Sequence, residues 1–211
     1  MMPPLPDFLC SDAARPATPR KAQVIDDGCP GEAGIWVFIF GDMMIFGALF
    51  LVFLWDNRQD RATFSNSAAS LFQSIGGINT FILLLSSYLV VLAVNAQRRG
   101  NTLHARRLIS GALVCALAFA CLKAIEYSIE ITNGHTPTSS LFFTFYFVLT
   151  GLHLLHVLIG VCLLSIWRRK CQHPSSWPTD RAFVETCAVY WHMVDLLWII
   201  LYTLLYLVCI V

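Results

Sequence analysis

Charge is what this sequence has least of. Only 13% of its 211 residues are charged and 57% are hydrophobic, against about a quarter charged in soluble domains. The few charges are clustered, so several long runs are nearly free of them. A net charge of +1 supplies no basic face for nucleic acid. The eight cysteines (Cys10, Cys29, Cys115, Cys121, Cys162, Cys171, Cys187 and Cys209) form no Cys-x-x-Cys pair, and several lie within apolar runs. A zinc site or disulfide frame is therefore not indicated, and small, soft packing residues are the simpler reading. No proline interrupts the middle of an apolar run, and no internal repeat, Gly-rich phosphate loop, nucleophile elbow or Ser/His/Asp set is evident. Residues 1–33 lack the apolar stretch of a cleaved signal peptide and read as a flexible or surface-lying tail, with Gly31 and Gly34 at the entry to the first apolar run.

What is present is hydrocarbon length. With about 20 apolar residues per crossing, five spans are expected near 34–55, 71–96, 108–132, 140–167 and 181–209, an all-α polytopic membrane domain over 34–211. The short loop from Asn133 to Ser139 makes the third and fourth spans antiparallel neighbours. Gly76, Gly77, Asn79, Thr80, Ser86 and Ser87 give the second span small and polar groups suited to close helix contact. Eleven basic residues fall on one side: Arg15, Arg20, Lys21, Arg98, Arg99, Arg106, Arg107, Arg168, Arg169, Lys170 and Arg181. Only Arg58 and Arg61 fall on the other. The positive-inside rule then predicts a cytoplasmic N-terminus and a C-terminus on the far side.

Seven ionisable residues sit within these spans: Asp42, Lys123, Glu126, His153, His156, His192 and Asp195. An acid or lysine at mid-helix costs about 2.5–3.5 kcal/mol on insertion scales, so these groups are expected to converge inside the bundle. Lys123 and Glu126 are three apart on one helix and can pair. At 1.5 Å of rise per residue, Asp42 lies roughly 12 Å from the basic side and His156 and His192 roughly 16–18 Å from it. The expected arrangement is an inner cluster of Asp42, His156 and a His192–Asp195 pair, with His153 nearer Lys123 and Glu126. His153→Leu and His156→Leu are both expected to lower folded yield.

Three chemistries compete for this seam. The His-x-x-His of HLLH and the HMVD segment have the i, i+3 geometry of helical di-iron sites, but no set of four carboxylates accompanies them. Intramembrane Asp, Glu and His also mark proton relays in transporters, though the inverted repeats common in carriers are absent. The third reading is a structural seam that fixes helix register. Aromatic residues add a further expectation. Phe142, Phe143, Phe145, Tyr146 and Phe147, with Trp191, Trp198, Tyr202 and Tyr206, sit deeper than an interfacial belt requires, which suggests large faces against another protein or lipid.

In order along the chain, five segments resemble subunit III of the haem-copper oxidase superfamily. They are GIWVFIFGDMMIF from Gly34, NTFILLLSS at 79–87, KAIEY at 123–127, LTGLHLLHVLIG at 149–160 and YWHMVDLLWIILY at 190–202. Within that family the chain is most similar to the NorE-like branch associated with nitric oxide reductase. The similarity lies in the five-span length, the PGEAGIWVFIFGDMM opening, and the HLLHVLIG and WHMVDLLW wording. Asp42 stands where typical cytochrome oxidase subunits carry Glu, as in quinol-oxidase relatives.

The resemblance implies a non-catalytic accessory subunit in the bacterial inner membrane, with a periplasmic C-terminus and no redox cofactor or metal of its own. It would pack beside a haem-containing catalytic subunit and support the assembly, stability or activity of a nitric oxide reductase in denitrification. The alternatives are subunit III of an aerobic cytochrome c or quinol oxidase, or a small proton- or ion-conducting transporter. It further implies a V-shaped cleft between helices 1–2 and 3–5, with phospholipid held near Trp36 and Phe40.

Overall fold

The structure, a computed structural model, describes residues 33–69, 73–171 and 181–208. All five expected spans are helical: α1 (Ala33–Gln59), α3 (Gln73–Arg98), α4 (Thr102–Thr132), α5 (Leu141–Lys170) and α6 (Arg181–Tyr202), which runs on into a π-helical turn, Thr203–Val208. Each is long and apolar enough to cross a membrane, and the chain is a multi-pass membrane protein. The helices extend past several of the apolar runs because the polar flanks at 57–59 and 102–107 are helical as well. Residues 1–32, most of the expected tail, lie outside the described residues.

Local chemistry sets the helix ends. Asn101 accepts the His104 amide at 3.1 Å and Ser140 accepts the Phe143 amide at 3.3 Å, so α4 and α5 start on side-chain caps. Gly100 and Gly134 have φ of 78° and 86°, the left-handed conformation that ends a helix at low steric cost. After Gly100, the Asn101 amide turns back to the Ala96 carbonyl; after Gly134, the His135 amide turns back to the Glu130 carbonyl at 2.9 Å. A short helix α2 (Arg61–Ala69) follows α1 in what sequence reads as a plain loop. Asp60 caps it by accepting the Thr63 amide at 3.3 Å. Phe64 then packs edge-on to Phe53 and Phe142, which closes one end of the bundle.

Packing is centred on α3, α4, α5 and α6. The most extensive contact is α3 against α4; α6 then lies on both α3 and α5, and α4 on α5. In α6, 56% of the apolar window is buried, against 17% in α1, so α6 is central and α1 peripheral. This corrects the grouping that the resemblance implied. The second span leaves the first and joins α4 and α6, and α1 touches chiefly α2, α5 and α6. Among the described residues the first and second spans do not pack together as one wall of a V. The physical reason is the surface of α3: Gly76 lets Tyr202 and Tyr206 approach so closely that an added Cβ would sit 2.9 Å from the Tyr202 ring.

The deep aromatics also need correction. Phe142, Phe143, Tyr146, Trp191, Trp198 and Tyr206 are all buried within the chain itself, not offered to another protein or to lipid. Phe142 packs on Phe53 of α1 and Phe64 of α2, Trp191 reaches Ser86 of α3, and Trp198 meets Phe119 edge-on at 4.8 Å.

Candidate functional site

The polar residues of the spans separate into three groups. The first joins α1 to α5. Asp42 Oδ1 meets His156 Nε2 at 3.0 Å, both side chains 8% exposed. His156 Nδ1 lies 2.8 Å from the Leu152 carbonyl, which can only accept. Nδ1 therefore carries a proton, and Nε2 and the carboxyl share the other across the pair. Phe46 packs edge-on against the imidazole at 5.6 Å, and the Tyr190 hydroxyl donates to the His156 carbonyl at 3.2 Å. Gly160 makes this seat possible. An added Cβ there would lie 2.7 Å from the Trp191 ring, so α6 could not close on α5.

The second group is centred on Lys123, which is 1% exposed. Its ammonium lies 2.9 Å from Glu126 Oε2 and donates to the Tyr206 hydroxyl at 3.0 Å and the Tyr146 hydroxyl at 3.5 Å. Both phenols in turn donate to Glu126 Oε1, Tyr146 at 2.8 Å. The ammonium thus donates to two phenols and faces Glu126 Oε2 as an ion pair, while Oε1 receives both phenols; Oε2 has no hydrogen-bond partner among the described residues. The Trp198, Tyr146 and Tyr206 ring centres lie 4.9, 5.1 and 5.5 Å from Nζ, a cation–π enclosure. Tyr206 stands on the π turn, whose i→i+5 bonding puts more residues in each turn; Leu204, Leu205 and Tyr206 are buried there in succession. Tyr127 continues the network to Thr150 at 2.7 Å, and Thr150 donates to the Tyr146 carbonyl.

The third group joins α3 to α6. His192 Nδ1 bonds the Ser87 hydroxyl at 2.6 Å. Two indoles donate to α3 hydroxyls beside it, Trp191 to Ser86 at 3.1 Å and Trp198 to Thr80 at 3.0 Å. Trp167 of α5 donates to Gln97 at 2.5 Å near the basic end. This indole ladder was not foreseen from sequence. Its signal was the seven-residue Trp191–Trp198 spacing opposite the six-residue Thr80–Ser86 spacing.

Not every expected neighbour meets. The structure brings Asp42 and His156 together and Lys123 and Glu126 together. The expected His192–Asp195 pair is replaced by His192–Ser87, because α3 lies close enough to offer its hydroxyl across the interface. Asp195, 4% exposed, faces Ser87, and neither of its oxygens has a hydrogen-bond partner among the described residues. His153 does lie on the Lys123 side, between Phe119 at 5.7 Å and Trp198 at 5.1 Å. It is fully buried, and neither ring nitrogen has a hydrogen-bond partner among the described residues. Trp36 and Phe40 are 41% and 69% exposed on the outer surface of α1. Among the described residues no three His, Cys, Asp or Glu side chains gather as a metal set.

Comparison with known proteins identifies the family. The profile of the family described as cytochrome c oxidase subunit III matches residues 20–210. The chain is 30% identical to the cytochrome c oxidase subunit 3 of Thermostichus vulcanus, covering 82% of this chain and 85% of that protein. It is 26% identical to the cytochrome c oxidase subunit 3 of Corynebacterium diphtheriae over 90% of this chain and 94% of the relative. To the quinol oxidase subunit 3 of Bacillus subtilis it is 27% identical, over 82% and 85%. With its family profile matched from residue 20 to residue 210, the chain belongs to the cytochrome c oxidase subunit III family.

Proposed function

We propose that this chain is a non-catalytic membrane subunit that packs beside the haem-containing catalytic subunit of a haem-copper oxidase and supports its assembly and sustained activity. The observation that carries this reading is how the buried charges are used. Lys123, Glu126, Asp42 and His156 all close on partners within the chain. Such closed networks hold helices in register. The relatives, named as subunits 3 of cytochrome c and quinol oxidases, support an oxygen-reducing partner. Family membership and the basic-residue asymmetry support a bacterial inner-membrane location, with a cytoplasmic N-terminus and a periplasmic C-terminus. Phospholipid is the expected occupant of the apolar α1 surface around Trp36 and Phe40.

One observation favours a second partner. The PGEAGIWVFIFGDMM opening, HLLHVLIG and WHMVDLLW are the wording of the branch associated with nitric oxide reductase, whose role would lie in denitrification. Purifying the tagged chain from native membranes in mild detergent tests both readings. Haem spectra and peptide identification of the co-purifying subunit tell an oxygen reductase from a nitric oxide reductase. A chain that purifies without a haem protein and moves ions in liposomes would sink the subunit reading.

A further inference from the structure

Beyond the Lys123–Glu126 pair, α4 carries one more buried acid that the helix-register account does not need. Glu130 lies at the end of the helix opposite the arginines and is 0% exposed. Gly134, at φ 86°, folds the chain back over it. The His135 amide thereby bonds the Glu130 carbonyl, and His135 Nδ1 lies 2.7 Å from Glu130 Oε2. The imidazole stacks on Phe143 at 4.4 Å, which fixes its plane. Its side chain is 32% exposed, so the ring touches both water and a wholly buried carboxyl. The other oxygen, Glu130 Oε1, has no hydrogen-bond partner among the described residues. It belongs to the α4 face that carries Glu126 one turn back and Lys123 two turns back, and Glu130 lies within electrostatic reach of Lys123. Side chains at i and i+4 are about 5–6 Å apart at Cβ, a gap that one water molecule spans between two carboxyl groups.

We propose that His135 and Glu130 form a one-sided proton port, through which the buried Lys123–Glu126–Tyr146–Tyr206 network exchanges protons with the aqueous surface. Water delivers a proton to the free ring nitrogen of His135, and the ring passes the Nδ1 proton to Glu130 Oε2. Rotation of the carboxyl turns the protonated oxygen inward, to the position that Oε1 held. A bridging water carries it to Glu126, which shares it with Lys123 and the two phenols. Each step moves one proton, and the reverse sequence returns one to solvent, so exchange is neutral overall. Glu126, Lys123, Tyr127, Tyr146 and Tyr206 are the titratable groups gathered inward of the port. This inference stands on the geometry of α4 and does not depend on which complex the chain joins.

The test is water-exchange NMR on the full chain in lipid bilayers with 15N-lysine and 15N-tryptophan; the sequence holds only Lys21, Lys123 and Lys170 as lysines. The Lys123 ammonium should exchange with water in the native chain. Glu130→Gln and His135→Gln should each slow that exchange by about ten-fold or more, and Glu130→Asp should restore part of it. The Trp191 indole proton, bonded to Ser86 far from the port, should keep its rate in every variant. Should Glu130→Gln fail to fold, the surface substitution His135→Gln decides alone. Lys123 exchange that is absent in the native chain overturns the port. So does exchange unchanged by the variants, or slowed in step with Trp191.

Discussion

Replacing Lys123 by methionine should unfold far more than one contact. The ammonium is the sole cation beside Glu126 Oε2 among the described residues, and it supplies both phenols with a donor. Its removal leaves a carboxylate with no exposed surface and no counter-charge. Breaking a buried ion pair from one side costs about 3–5 kcal/mol, which is two to four orders of magnitude in the unfolding equilibrium. Glu126→Gln should cost at least about 2 kcal/mol, because it strands the ammonium among three aromatic rings. The double variant should recover most of the loss. The amide introduced by Glu126→Gln still offers an oxygen to Tyr146 and Tyr206, no buried charge remains, and the expected deficit is only about 1–2 kcal/mol. Reversible unfolding in bicelles by steric trapping would measure all four corners of this cycle. Single costs that add to within about 0.5 kcal/mol in the double variant would refute the closed network.

The two histidines of HLLH should behave differently. His156→Leu removes a bonded partner of Asp42 and should destabilise by about 3 kcal/mol, read as lower retention of folded protein in detergent. His153→Leu deletes two nitrogens that hold no hydrogen bond among the described residues, and should be neutral or stabilising by up to about 1–2 kcal/mol in the same assay. Gly160→Ala should cost about 1–3 kcal/mol, since its methyl meets the Trp191 ring at 2.7 Å. Gly111→Ala, which meets only the tip of Leu89 at 3.1 Å, should change the unfolding midpoint much less. Trp198→Phe should lose more than the roughly 1 kcal/mol of its hydrogen bond to Thr80, because the indole is also the nearest ring to Lys123 at 4.9 Å and packs on Phe119 and His153.

The spans and the importance of the buried charges were legible in the sequence for one reason. A bilayer tolerates few ionisable groups, so each that remains marks a protein-facing position. Partner choice was less legible. Lys123 and Glu126 could be paired because both stand on α4 at i, i+3 spacing. His192 had a similar local option in Asp195 but took Ser87 of α3, a choice set by how closely two helices pack. His153 was expected to need a partner, yet it lies against Phe119 and Trp198. The two equal-looking histidines of one motif therefore have opposite environments. The π turn that brings Tyr206 onto Glu126 left no periodic signal, and α2 was too short and polar to register as a helix. The departure of α3 from α1 followed from the notch at Gly76, which matters only once Tyr202 and Tyr206 are known to fill it.

The same deletion logic separates a scaffold from an enzyme. Isolate the complex through a tag on this chain, strip the chain away with stronger detergent, and measure haem absorbance and reductase turnover in both fractions. All haem and all initial turnover should stay with the partner, and the separated chain should carry neither. Haem or activity that follows this chain would contradict it.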